Sequence, residues 1–459
     1  MLNRRSLLAG AAALPLVALA RRVPAAAATL PGLENASMRG SIDSLEFGVR
    51  PGALDDQSRV FARMLEKASD TDTPVFLPAG TYVVSNLVLP RRVRLSGVPG
   101  ATRIVYGGDG HLMLAEATDL IDISGILFDG ANRWIGDQAQ GLLDFRRVAE
   151  LSLRDCRILG SGRNGISLER VAGRIEASAI SGAAEAGIYS VEAAGLTIAG
   201  NTVSDCANGG ILVHRWQAAD DGTIVTGNRV ERIAARSGGT GQFGNGINVF
   251  RANGVLVGQN SVSDCAFSAI RANSSSNLRV VGNSALRSGE TALYAEFAFD
   301  GAVFNANIVD GAANGISVVN FDEGGRMATL TGNIVRNLSA TGPYRADPPG
   351  FGVGITVEAD CAVTGNLVEN APLHGIAVGW GAHLRNVAAT GNVVRRAGTG
   401  IAVSVAPGAG HAIISDNLID EIRFGGVVGY EWTRPVTGDL AVEGARGWPN
   451  LTVERNRVS

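Results

Sequence analysis

The chain has 459 residues, of which 46% are hydrophobic, 18% are charged and 61 are glycine. This apolar content excludes a disordered chain, and the many glycines fit tight turns between short strands. The net charge of −3 falls to −7 when the four arginines of residues 1–28 are removed, which argues against nucleic acid as a partner. Lys67 is the only lysine, so lysine chemistry elsewhere in the chain is excluded.

The first 28 residues predict an export signal. Arg4 and Arg5 precede a short apolar run at residues 7–20, and the small residues of "VPAAAA" suggest cleavage near Ala28. The pattern resembles a twin-arginine signal, with an ordinary secretory signal as the alternative. We therefore expect a folded protein in the periplasm or outside the cell. No other run of about 20 apolar residues exists, so we expect no integral membrane segment after signal removal.

Residues 29–74 predict an N-terminal segment with a capping helix. The stretch "FGVRPGALDDQSRVFARMLEKASDTDTPVFLPAGTY" at 47–82 combines an Asp-Asp pair, an amphipathic helix and a turn. Asp55 or Asp56 would cap this helix. The expected apolar stripe of the helix consists of Val60, Phe61, Met64, Leu65 and Ala68. A helix here would close the open end of a solenoid.

This stretch resembles the beginning of the pectin-lyase-like right-handed parallel β-helix superfamily. The whole chain also resembles a family of β-helix repeat proteins exported by the twin-arginine route. The superfamily resemblance implies action on a polysaccharide by side chains that face outward from one strand face. No aspartates at hydrolase spacing are found, and no lysine could serve a lyase, so no specific activity follows from the resemblance.

Residues 75–459 predict an all-β fold, a single right-handed parallel β-helix. A phrase of the form GN-x-V recurs, mostly at intervals of 23–27 residues, and a phrase of the form GI-x-V falls between its copies. Such a period, with short strands inside each unit, indicates one coil per repeat. We expect the recurring asparagines to stack as an inward ladder. They are Asn201, Asn228, Asn260, Asn283, Asn307, Asn333, Asn366, Asn392, Asn417 and Asn456.

The outward positions of the GI-x-V strands carry the candidate site. In the middle coils they form a strip about 15 Å long, flanked by inserts at residues 214–222, 236–245 and 321–325. Aromatic groups suit stacking on a sugar, Arg suits a carboxylate, and Glu with His or Tyr suits proton transfer. The candidate catalytic residues are His214, Arg271, Tyr294 and Glu296; the candidate substrate-binding residues are Trp216, Asn248, Phe250 and Asn273. A solvated strand face without a function is the alternative.

Two hypotheses follow for the function. The first is an exported protein that binds or processes polysaccharide as a lyase, hydrolase or epimerase. The second is a non-catalytic surface β-helix that binds glycans or proteins. No Cys or His pair has metal-ligand spacing, so neither a metal nor another cofactor is expected.

The cysteines are expected to be free thiols. Cys206 and Cys265 share a column but lie two coils apart, roughly 9.6 Å, beyond the reach of about 7 Å for a disulfide. Cys156 and Cys361 fall elsewhere in the repeat, so we predict four unpaired thiols.

The x position of GN-x-V predicts a surface stripe. It is polar in early coils but aliphatic from residue 308 onward, at Ile308, Ile334, Leu367, Val393 and Leu418. An exposed apolar stripe of this length usually marks a contact. A homo-oligomer through these residues, or cover by residues 430–448, would account for it.

Overall fold

The computed structural model describes residues 40–459, so the predicted export signal lies outside the described residues. These residues form a right-handed parallel β-solenoid of about 14 turns, which confirms the predicted fold class. Each coil carries strands on three faces, named here the first, second and third face in chain order. Between residues 40 and 459, no helix is long and apolar enough to cross a membrane.

The N-terminal end is closed by helix α1, Ser58–Asp70. A 3-10 helix, Ser44–Phe47, precedes it. Phe61, Met64, Leu65 and Ala68 of α1 are buried against the first coils, and Val60 packs at the edge of the same core. The predicted stripe is therefore the face that closes the solenoid, while Lys67 is exposed on the opposite side of the helix.

The Asp-Asp pair before α1 divides between two roles. The Asp56 carboxylate accepts the backbone N–H of Ser58 at 2.7 Å, at the first residue of the helix. Asp55 instead forms an ion pair with Arg50 at 2.5 Å. Asp56 thus satisfies a helix N–H that has no partner within the helix, although the N-cap residue itself is Gln57, one residue after the predicted pair.

The first face is a sheet of 16 parallel strands. Its strands are Ile42–Asp43, Val75–Phe76, Arg92–Ser96, Leu120–Ser124, Glu150–Arg154, Gly173–Glu176, Leu196–Ala199, Ile224–Thr226, Leu256–Gly258, Leu278–Val281, Asp300–Asn305, Arg326–Thr331, Cys361–Thr364, Val387–Thr390, Ala412–Ser415 and Leu451–Glu454.

The second and third faces belong to one larger sheet, because two long strands, Leu367–Val378 and Val393–Ser404, run through both. The other strands of the second face are Gly80–Val84, Thr102–Tyr106, Leu127–Asp129, Arg157–Leu159, Ala179–Ser181, Thr202–Ser204, Arg229–Glu231, Ser261–Ser263, Ser284–Leu286, Ile308–Ala312, Ile334–Leu338, Leu418–Asp420 and Arg457–Val458.

The third face carries the GI-x-V phrase. Its other strands are Leu87–Val88, Met113–Glu116, Gly141–Arg146, Asn164–Glu169, Ala186–Val191, Gly209–Asp220, Asn245–Asn253, Ile270–Asn273, Thr291–Glu296, Asn314–Val318, Val353–Val357 and Gly425–Glu431. The strand Arg434–Asp439 pairs antiparallel with the last of these, and the short helix α2, Leu440–Glu443, follows it. A second 3-10 helix is Phe321–Glu323.

The asparagine ladder is present through all ten coils. Each side-chain amide from Asn201 to Asn417 donates to the next asparagine's Oδ1 and to a backbone carbonyl of an earlier coil, at 2.8–3.0 Å. Ser178 and Cys156 continue the column toward the N-terminus, where the Cys156 N–H donates to the Ser178 hydroxyl. The ladder satisfies polar groups that the bend of each coil would otherwise leave buried and unpaired.

The four cysteines are buried and free, as predicted. Burial raises the pKa of each thiol to about 12, so none is a reactive thiolate in the folded protein.

The aliphatic stripe on the second face is uncovered. Its residues pair in register, and Ile308, Ile334, Leu367 and Leu418 are exposed while Val393 is half-buried. Residues 430–448 do not cover the stripe, because their hairpin pairs on the third face instead. Cover by the C-terminal segment is therefore the wrong explanation of the stripe.

Candidate functional site

Seven of the eight predicted site residues lie in two columns on the third face. In the first column, Leu212, Asn248, Arg271 and Tyr294 are register partners. In the second column, His214, Phe250, Asn273 and Glu296 are register partners. Both columns point away from the core because side chains alternate across a strand. The sequence therefore predicted which side chains would be neighbours.

Six of the eight predicted residues surround one cleft of about 370 Å³, named here the first cleft. They are His214, Asn248, Phe250, Arg271, Asn273 and Glu296. The insert at 236–245 contributes Thr240, Gly241 and Gln242 to the same cleft. Tyr294 lines a neighbouring cleft instead.

Trp216 lies outside both clefts. The strand Gly209–Asp220 changes register after His214, which carries the chain away from the two columns. The exposed indole contacts Arg170, whose guanidinium carbon is 4.9 Å from the ring centroid.

Arg271 joins two glutamates. Its guanidinium donates to both carboxylate oxygens of Glu296, at 2.7 and 2.9 Å, and to Glu290 at 3.2 Å. Asn273 adds a bond to Glu296 at 3.2 Å. Outward-pointing strand residues are usually exposed to solvent, but these two are buried. Glu296 is 3% exposed and the Arg271 side chain is 12% exposed. Bidentate geometry of this kind is strong and specific.

His214 is held neutral between aromatic rings. Its Nε2 donates to the Asn248 side-chain oxygen at 2.9 Å, and its ring meets Tyr189 and Phe250 edge-on at 5.4 and 5.6 Å between centroids. Burial lowers the pKa of His214 to about 4. At neutral pH the imidazole is therefore uncharged, the form that can accept a proton.

A second cleft of about 270 Å³ adjoins the first. Its lining includes Tyr294, Ser317, Thr356, Glu358, Trp380 and the loop residues 346–351. The ion pair between Arg271 of the first cleft and Glu290 of the second lies between the two clefts.

Among the acidic residues that line the second cleft, Glu358 has the most strongly shifted pKa. It is 6% exposed, and one carboxylate oxygen accepts the Phe321 N–H at 2.7 Å. Burial, assisted by the neighbouring charge of Asp322, raises the pKa of Glu358 to about 7. A carboxyl group without a cation partner in a cleft is typical of functional sites.

Tyr294 presents its hydroxyl to the same cleft. No hydrogen bond joins this hydroxyl to any residue that the structure describes, and burial raises the pKa of the phenol. Tyr294 is therefore protonated at neutral pH and free to donate to a bound molecule.

The loop over the second cleft was not predicted. Tyr344 donates to Glu290 at 2.6 Å and stacks on Phe267 with ring centroids 6.2 Å apart. The spacing of 33 residues between Asn333 and Asn366 was the available signal for an insert here. Glu358 stands at the outward position that Glu296 occupies two coils earlier, so the repeat alignment also contained it.

No group of three His, Cys, Asp or Glu side chains converges within residues 40–459 in the manner of a metal site.

Comparison with known proteins identifies the fold. The sequence model of the family described as "Right handed beta helix region" matches residues 141–322 and 217–394, which together exceed half of the chain. The N-terminal fragment of bacteriophage phi29 gene product 12 covers 84% of this chain and 87% of its own at 13% identity, with a TM-score of 0.56. The pre-mature form of that protein gives a TM-score of 0.52 at 14% identity, covering 84% of this chain and 69% of its own.

A weaker match is the Azotobacter vinelandii mannuronan C-5 epimerase AlgE4 A-module, with a TM-score of 0.39 at 14% identity, covering 90% of this chain and 99% of its own. No curated protein matches the sequence. At these identities the similarities establish the fold alone.

Proposed function

The chain belongs to the right-handed β-helix family, and we propose that it binds a polysaccharide along the third face of its solenoid and processes it there. The observation that carries this proposal is the pair of neighbouring clefts on one face. They extend over the coils from His214 to Trp380, about 29 Å at 4.8 Å per coil. A track of this length suits an oligosaccharide better than a single small molecule.

The candidate catalytic residues are assigned roles by their environment. His214, neutral and beside the first cleft, would accept a proton there, and Tyr294, three coils further along, would donate one to a sugar in the second cleft. Arg271 and Glu296 would hold the floor of the first cleft rigid through their bidentate pair. Phe250, Asn248 and Asn273 would contact sugar rings and hydroxyl groups.

Among lyase, epimerase and hydrolase reactions, the site favours hydrolysis. A lyase or epimerase that removes a proton beside a uronate carboxylate needs positive charge at the developing enolate. Within the described residues, Arg271 is the only arginine or lysine that lines either cleft, and two glutamates already bind it.

The second candidate function is glycan binding without catalysis. It is favoured by the same ion pair, because Arg271 and Glu296 satisfy each other and leave no free acid–base pair in the first cleft.

The test is a binding and turnover screen of the purified mature protein against neutral, amino and uronate glycans. New reducing ends indicate hydrolysis and new double bonds indicate a lyase. Phe250→Ala removes a cleft aromatic and is expected to weaken binding about two- to tenfold, since aromatic contacts contribute about 0.5–1.5 kcal/mol. Phe424→Ala, at an exposed ring outside both clefts, is the matched control.

His214→Gln separates the two candidate functions. The variant should abolish turnover and keep binding if the protein is an enzyme. Binding without products in the wild type supports the non-catalytic function, and no binding of any glycan contradicts both.

We also propose that the protein is exported by the twin-arginine route. The twin-arginine pattern at Arg4 and Arg5 supports it, and cell fractionation of the Arg4→Lys/Arg5→Lys variant tests it. Retention of the variant in the cytoplasm is expected, while export of the variant would favour the ordinary secretory route.

Association of copies through the aliphatic stripe also belongs to the proposal. The bare apolar column from Ile308 to Leu418 supports it, because no described segment of the chain covers those residues.

A further inference from the structure

The second cleft is acidic. The charged side chains that line it are Glu290, Asp347 and Glu358, and no arginine or lysine of the described chain joins them there. The negative charge of Glu290 is balanced by Arg271, which lies outside the cleft. Tyr344, at the rim of the cleft, donates a further hydrogen bond to Glu290. Asp347 is exposed to solvent. Glu358 is therefore the buried carboxyl group of this cleft that no arginine or lysine within residues 40–459 pairs with.

The carboxyl group of Glu358 has backbone partners but no cationic partner. One oxygen accepts the Phe321 N–H, the Asn320 N–H also acts on the carboxyl group, and no arginine or lysine of the described residues bonds to it. Burying an acid without a cation is costly, and a ligand that brings a cation would remove that cost. Bonds between an ammonium group and a carboxylate are also stronger than neutral ones.

Two further groups complete a sugar-sized site. The Tyr294 hydroxyl faces the cleft without a protein partner. Trp380 lines the same cleft, and its ring is braced edge-on by Trp432 at 5.5 Å between centroids. An indole suits the apolar face of a sugar ring, and a phenol suits one of its hydroxyl groups.

We propose, on the basis of the function proposed above, that the second cleft binds a sugar unit bearing a protonated amine, with the ammonium group on Glu358 and a hydroxyl group on Tyr294. The polysaccharide then contains amino sugars. Uronate units are disfavoured in this cleft, because their carboxylates would face an acidic lining with no free cation.

The test is titration calorimetry of the mature protein with three tetrasaccharides at neutral pH and low salt: glucosamine, N-acetylglucosamine and galacturonate. The glucosamine oligomer is expected to bind at least tenfold more tightly than the N-acetylated one, and the galacturonate oligomer not detectably. Equal binding of the first two, or tighter binding of galacturonate, overturns the inference and leaves the proposed function intact. Binding of none of the three overturns this inference, and failure in the wider glycan screen then overturns the function as well.

Two variants locate the effect. Glu358→Gln keeps an oxygen for the Phe321 N–H but loses the charge, so glucosamine binding should fall about 10- to 100-fold. Tyr294→Phe should lower it about two- to tenfold with an unchanged melting temperature, because the hydroxyl has no described protein partner.

Glu176→Gln, on the first face, is the matched control for loss of one negative charge. An equal loss of glucosamine binding in Glu176→Gln and Glu358→Gln would mean that overall charge, not the cleft, attracts the amine.

Discussion

The carboxyl group of Glu358 couples the stability of the protein to pH. Its pKa in the folded protein is about 7, against an ordinary value of 4.5. As pH rises, the unfolded chain loses this proton near 4.5 while the folded chain retains it until about 7. The stabilising contribution is therefore complete below pH 4.5, declines between the two values and is lost above pH 7, a change of about 3 kcal/mol.

Glu358→Gln removes this titration. We expect the free energy of unfolding of the variant, relative to wild type, to rise by up to about 3 kcal/mol between pH 4.5 and pH 8. Urea unfolding of both proteins across that range measures the difference, and other titrating groups cancel because both proteins share them. A difference independent of pH would mean that Glu358 is ionised in the folded protein throughout.

Single residues also show what alternation can and cannot predict. It placed Arg271, Tyr294 and Glu296 correctly on the outward side of the third face. It could not predict their burial, because the covering segments come from distant parts of the chain. Tyr344, which bonds to Glu290, lies 54 residues further along.

The asparagine ladder is the element on which the coils depend. Asn333 is fully buried and receives two bonds from Asn307, one from the backbone N–H and one from the side chain, at 3.0 Å each. Its own amide donates to the Phe304 carbonyl and to Asn366. Its removal would leave several buried polar groups without partners.

Asn333→Ala should therefore lower the free energy of unfolding by about 3 kcal/mol or more, at about 1–3 kcal/mol per unsatisfied group. Asn337→Ala, at an exposed asparagine with a left-handed backbone and bonds to Asp310 and Asn370, should cost less, about 1–2 kcal/mol. Guanidinium unfolding measures both. Similar losses at the two positions would show that the ladder does not stabilise the coils beyond an ordinary surface bond.

The repeat predicted the elements because each coil must bury its apolar face against its neighbours. The spacing of the asparagines thus gave the coils, the three faces and the stripe on the second face. The spacing of the asparagines could not predict the positions of the inserts in the fold, because the residues of an insert do not follow the repeat pattern. The 339–352 loop and the displacement of Trp216 both arise where the chain departs from the periodic pattern.

The whole molecule exposes its aliphatic stripe on one side of an elongated body. We expect the mature protein to self-associate through it, as measured by static light scattering. Leu367→Lys introduces a charge at an exposed position, 41% accessible, and should give a monomer with little change in melting temperature. Thr452→Lys, exposed on the first face, is the control and should leave association unchanged. A monomeric wild type would contradict the homo-oligomer.

The only lysine of the chain offers a specific position for chemical labelling of the elongated solenoid. Lys67 is exposed on α1 at the N-terminal end of the solenoid, and apart from the terminal amine it is the only primary amine in the chain. An amine-reactive dye or surface that couples to Lys67 will therefore attach the protein by that end and leave the third face accessible to large glycans. The four cysteines are buried in the folded solenoid and do not react with thiol-reactive dyes there. Reaction of these thiols with such a dye therefore measures unfolding of the same molecule.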